Sequence, residues 1–109
     1  MDKCIWLYPL IIWQTIENEL RKLSSLSGIN RTFTRNTVRY ASIVQIDKQG
    51  RIALNHNFIN FANLTKKALI IGTVNKIEIW DPEYLITVDQ KSQKIDSSKF
   101  DELADKIIL

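Results

Sequence analysis

The stretch that decides the fold is Ile46-Asp47-Lys48-Gln49-Gly50-Arg51-Ile52, a charged turn held between two isoleucines. An aspartate that opens a turn accepts backbone N–H bonds through its side chain. A glycine three residues on takes the left-handed conformation a chain reversal needs. Turn geometry alone therefore accounts for Asp47 and Gly50. It does not account for Lys48, Gln49 and Arg51, which place cationic and hydrogen-bonding groups at the tip of a hairpin. Arg51 offers a planar fork suited to a phosphate pair or a guanine edge, and pairing with Asp47 would fix the orientation of that fork.

Working outward, Ser42-Ile43-Val44-Gln45-Ile46 and Arg51-Ile52-Ala53-Leu54 read as the two strands of the hairpin, the first of them rich in β-branched residues. Asn55 caps a short helix from His56 to about Phe61, and Asn63 with Lys66-Lys67 marks a loop. Ala68-Leu69-Ile70-Ile71 is a third strand. Gly72-Thr73-Val74-Asn75 is a turn, and Lys76-Ile77-Glu78-Ile79-Trp80 alternates as a fourth strand should. Asp81-Pro82-Glu83 supplies the cap, the proline and the first-turn acid of a helix running to about Asp89. A polar link, residues 90–94, leads to a last helix behind Asp96-Ser97-Ser98, with Phe100, Leu103, Ala104, Ile107 and Ile108 at helical spacings.

Toward the N-terminus, residues 4–8 form a short apolar strand closed by Pro9, which sits where a helix can begin. Trp13, Ile16, Leu20 and Leu23 share one face of that helix, and residues 24–30, with Gly28 among them, read as a loop. Residues 31–40 contain mediocre helix formers, but Arg31, Arg35 and Arg39 recur every four residues. If the segment is helical they make one basic stripe, either a solvated face or a set of secondary phosphate contacts.

The chain has 109 residues, 45% hydrophobic and 25% charged, the balance of a small globular protein. Its formal net charge of +3 permits a nucleic-acid partner without requiring one. Cys4 and His56 are the sole members of their kinds, which excludes an internal disulfide and a structural zinc site built from one chain. A reducing, cytoplasmic setting follows. Residues 1–13 have the outline of a secretion signal, but Pro9 splits the apolar run, no small-residue cleavage site follows, and the run is too short to span a bilayer. No nucleophile elbow, phosphate-cradling glycine loop or paired metal motif is present, so no enzyme activity, cofactor, metal or small-molecule substrate is expected.

Several segments together resemble the MraZ family. They are Cys4-Ile-Trp-Leu-Tyr-Pro9 followed by Trp13; the Ile46-Asp-x-x-Gly-Arg-Ile52 turn; Phe61-Ala62-x-Leu64; and Gly72-x-x-Asn75-Lys76-Ile77-Glu78-Ile79-Trp80. The acidic Asp101-Glu102-Leu103-Ala104 segment resembles that of some members, whereas Asn55 stands where the family usually has proline. The resemblance implies an α+β fold: an AbrB-like swapped-hairpin β-barrel of the SpoVT-AbrB type, carried in two repeats with flanking helices. On that basis residues 1–27 are the remnant of a first repeat, 28–88 a complete second repeat, and 89–109 a C-terminal helical tail.

Members of the family are sequence-specific DNA-binding regulators, usually repressors of cell-wall and cell-division genes, that assemble into rings. By position the resemblance makes Arg51 the main contact to double-stranded DNA, with Lys48 and Gln49 assisting and Asp47 and Gly50 shaping the turn. Arg31, Arg35 and Arg39 are then the candidate phosphate contacts. It further implies a homo-oligomer associated with the nucleoid and with no membrane. The competing readings are a truncated assembly subunit without DNA binding, and an antitoxin that holds a partner through its tail.

Overall fold

In the computed structural model, which describes residues 2–95 and 97–107, the strongest order lies in a three-stranded antiparallel sheet. Strand β1 is Ile5–Leu7, β2 is Leu69–Thr73 and β3 is Lys76–Trp80, arranged β1-β3-β2. β3 is central because it alternates cleanly: Ile79 faces Ile5 across one ladder and Ile70 across the other. On that face Ile5, Ile79 and Ala62 form the buried core, with Leu54, Phe58 and Leu64 packed against it. On the opposite face Trp6 lies level with Glu78, and the ammonium of Lys76 sits 4.5 Å from the centre of the Trp6 ring, a cation–π contact.

Helix α1 (Leu10–Arg21) follows β1 through Pro9, whose carbonyl accepts from the backbone N–H of Ile12 and Trp13. Helix α4 (Pro82–Ile95) follows β3 in the same way, and Asp81 caps it by accepting from Tyr84 N at 3.1 Å. The central antiparallel pair is thus two like units, strand–proline–helix, laid against each other head to tail.

Helix α2 (Gly28–Val38) answers the question left by the weak helix formers of residues 31–40: the segment is helical to Val38, which sets Arg31 and Arg35 one turn apart, and Arg39 follows as the C-cap residue. The loop expected over residues 24–30 is shorter than the sequence suggested. Ser27 accepts from Asn30 N at 3.4 Å, so it is the cap, and Gly28 is the first helical residue. Helix α3 (His56–Phe61) starts at the Asn55 cap, with Asn55 Oδ1 accepting from Phe58 N at 3.1 Å. It ends where Asn63 turns left-handed at φ 54° and Leu64 N reaches back to Ile59 O at 3.0 Å. That closure swings Leu64 onto the core.

Helix α4 runs past Asp89 through the expected polar link, because Gln, Lys and Ser are adequate helix formers even where no apolar face is needed. Helix α5 (Ser97–Lys106) carries Phe100, Leu103 and Ala104. Asp96 and Ile108, assigned from the sequence to this helix's start and apolar face, lie outside the described residues. The 72–75 turn is also tighter than expected: Gly72 and Thr73 belong to β2, and Val74-Asn75 alone make the turn.

The two strands expected around the charged turn are the main correction. Residues 42–46 and 52–54 carry no ladder, and beyond Asp47 and Arg51 no backbone hydrogen bond joins them. A strand exists only where another backbone lies within reach, and within one chain these arms meet none. Their side chains show the consequence: Ile43 is 80% exposed and Ile46 74%. The radius of gyration is 16.6 Å, against about 13 Å for a compact domain of this length. One chain therefore forms the sheet and helices of an α+β protein while leaving both arms unpaired, with Ile43 and Ile46 of the first uncovered and Ile52 and Leu54 of the second half-buried.

Candidate nucleic-acid interface

The turn at residues 47–51 is fully formed although its arms are unpaired. Asp47 N donates to Arg51 O at 2.8 Å, and Gly50 N donates to Asp47 O at 3.0 Å. Gly50 sits at φ 77° with nothing within 4 Å of where a Cβ would stand. Its requirement is conformational, and alanine there costs about 1–2 kcal/mol of backbone strain. The result is a three-residue loop, Lys48-Gln49-Gly50, in the type I plus left-handed pattern that closes many hairpins.

A single carboxylate organises this loop. Oδ1 of Asp47 accepts from Gln49 N and from Arg51 N, both at 2.9 Å, while Oδ2 accepts from Arg51 Nε at 3.1 Å. The backbone bond from Arg51 comes first, and with the backbone bond from Gln49 and the guanidinium itself it holds the Asp47 carboxyl below its ordinary value of 3.8, against an opposing desolvation second in size to the Arg51 bond. Because Nε is the engaged nitrogen, the two terminal nitrogens of Arg51 point away as a free fork. The Arg51 side chain is 72% exposed and that of Asp47 45%. Lys48 and Gln49 are exposed beside it. The structure thus brings together all five residues singled out in the turn.

It does not bring the arginine stripe to the turn as a set. Arg39 lies with its guanidinium 5.9 Å from the centre of the Tyr40 ring. Arg31 and Arg35 line a groove between α1 and α2, where Arg31 Nη1 donates to Ser25 O at 2.8 Å. Arg21, which composition and periodicity do not single out, lines the same groove. Its signal was a position at the last turn of α1, directly before a short connection into a basic helix.

Among the described residues no group of three or more His, Cys, Asp or Glu side chains is placed to hold a metal ion, and no helix is long and apolar enough to cross a membrane. Cys4 is buried, and that burial, with the nearby Glu78 carboxylate, raises its thiol pKa against an opposing contribution from Trp6.

The fold and the turn define a small α+β protein that displays a basic, carboxylate-braced hairpin tip. Residues 38–107 match the model of the family described as "MraZ protein, putative antitoxin-like". The "Transcriptional regulator MraZ" of Natranaerobius thermophilus is 35% identical over 108 residues, spanning 99% of this chain and 73% of its own length. The chain belongs to the MraZ family.

Proposed function

We propose that this chain is a DNA-binding transcriptional regulator that reads double-stranded DNA with the 47–51 turn and acts as a homo-oligomer. The observation that carries the reading is the Asp47 brace: it fixes Arg51 at an exposed tip while leaving the guanidinium fork unoccupied. A guanidinium whose direction is already set loses less freedom when it meets a phosphate or base edge. The relative from Natranaerobius thermophilus, named as a transcriptional regulator, agrees with this role. Lys48 and Gln49 add neighbouring contacts, and Arg39 is the member of the α2 stripe that this reading keeps as a phosphate contact. Repression of cell-wall and cell-division genes is the regulatory role that the family resemblance implies.

Oligomerisation follows from two needs. One tip is a small footprint, so useful affinity requires several tips on repeated sites. The unpaired arms at residues 42–46 and 52–54 also need backbone partners, which a second copy supplies by closing a swapped-hairpin barrel over Ile43 and Ile46. The paired strand–proline–helix units about β1 and β3 support a two-repeat reading, although α4 runs past the expected boundary at residue 88.

The test is fluorescence anisotropy with duplex DNA from upstream of the gene and a scrambled duplex, at about 50 and 200 mM salt. The natural chain is expected to prefer the upstream duplex, and Arg51→Ala to lose that preference, by roughly tenfold or more in affinity. Equal, weak, salt-sensitive binding by both proteins to both duplexes would leave only the non-DNA-binding assembly subunit.

A further inference from the structure

The groove between α1 and α2 carries three arginines and no acid. Arg21 approaches from the last turn of α1, and Arg31 and Arg35 from successive turns of α2, above a floor of Leu20 and Leu23. The groove's lining contains no aspartate or glutamate. The ion pairs Lys22–Glu19 and Arg51–Asp47 do not involve these arginines. Arg21 and Arg31 are instead anchored by neutral acceptors, Asn18 Oδ1 and Ser25 O. Each anchor uses one terminal nitrogen, and Nη2 of Arg31 lies toward Gly28 at the start of α2.

Three cations gathered without a counter-charge repel one another, and an anion between them turns that repulsion into charge-assisted hydrogen bonds. The N-terminus of α2, capped by Ser27 with no acid in its first turn, adds a fixed positive end beside the same groove. Thr34 offers a hydroxyl in the lining. The leucine floor gives an apolar body somewhere to lie, which a bare inorganic ion would not use.

We propose that this groove binds a small phosphorylated molecule with an apolar or aromatic body, clamped at its phosphate by Arg21, Arg31 and Arg35. The site is separate from the 47–51 turn, so it gives a regulator a place for an effector. The phosphate of duplex DNA shares the chemistry but not the shape, because a backbone phosphate brings no apolar body to the leucine floor.

Calorimetric titration of the full chain with adenosine diphosphate and, separately, pyrophosphate tests the proposal. One saturable site is expected for adenosine diphosphate, with a dissociation constant of about 1 mM or tighter. Pyrophosphate is expected to bind the same site more weakly. Arg21→Gln and Arg35→Gln should each weaken binding about tenfold, with helix content unchanged by circular dichroism. Arg39→Gln, outside the groove, and Arg51→Ala, in the turn, should leave it intact. The proposal is overturned if neither probe saturates, or if Arg39→Gln weakens binding as much as Arg35→Gln, which marks diffuse charge. Competitive displacement of pyrophosphate by duplex DNA also overturns it, because the groove is then part of the DNA path. Arg51→Ala separates the two readings, since it abolishes DNA preference and spares the groove.

Discussion

Arg51 leans back over its own turn onto Asp47, with Nε 3.1 Å from Oδ2, while its backbone N–H rests 2.9 Å from Oδ1 of the same carboxylate. One side chain thus sets both the path of the chain and the aim of the guanidinium. Asp47→Asn keeps an oxygen for the two backbone donors and loses the ionic hold on Arg51. Asp47→Ala loses both. The two variants are expected to separate in DNA affinity, with the alanine form weaker than the asparagine form and roughly tenfold weaker than the natural chain. Anisotropy titrations of the three proteins on one duplex would show it; identical affinities would mean that the brace does not aim the arginine.

The same carboxylate gives the turn a pH dependence of known sign. Its folded pKa lies below the ordinary 3.8, so the contribution of the ionised form is fully present above 3.8. It is lost as the pH falls through the lower folded value. The amide resonances of Gln49 and Arg51, both bound to Oδ1, should titrate together with a midpoint below 3.8 in a proton–nitrogen NMR series. Asp47→Asn should abolish that step.

Strain is concentrated at the other hairpin. Val74 holds φ 62° in the two-residue turn between β2 and β3, with Asn75 N bonded to Thr73 O at 2.6 Å. A β-branched residue is poorly suited to the left-handed region, whereas glycine or asparagine enters it at little cost. Val74 is also fully exposed, so no packing is lost with its side chain. Val74→Gly is expected to raise unfolding stability by about 1 kcal/mol, read as a higher urea midpoint at unchanged slope.

The unpaired arms make a prediction that depends on concentration. In an isolated chain an aspartate at position 46 replaces an isoleucine that is 74% exposed and costs almost nothing. In an assembly that pairs the arms it buries a charge. Ile46→Asp is therefore expected to lower the melting temperature strongly at high protein concentration and little at low concentration, and to shift the light-scattering mass toward the monomer. A natural chain that scatters as a stable monomer at micromolar concentration would overturn the pairing.

What could be read from the sequence was local. The Asp47–Gly50 turn, the Asn55 and Asp81 caps and the alternation of β3 each rest on contacts within five residues or on a period of two, and each appears where its residues are. Ser27 was eclipsed by Gly28, whose usual role in loops hid the cap beside it. The arms at residues 42–46 and 52–54 have the composition of strands, but composition cannot say which chain supplies the partner backbone. The arginine groove was out of reach for a related reason. Arg21 and Arg35 line one groove only because a short connection brings α2 back beside the end of α1, and no period in the sequence records that placement.

The sheet also has two open edges, and they are guarded unequally. β1 is three residues long and is stopped at once by Pro9, so it offers a newcomer little to stack on. β2 is five residues long, with Leu69 and Ile70 41% and 65% exposed, and the cationic pair Lys66-Lys67 stands just before it. Like charges at the mouth of an apolar edge keep identical molecules from adding to it. Acetylation of those two lysines would remove that protection, so the protein's shelf life in concentrated solution is expected to depend on two side chains remote from the 47–51 turn in sequence.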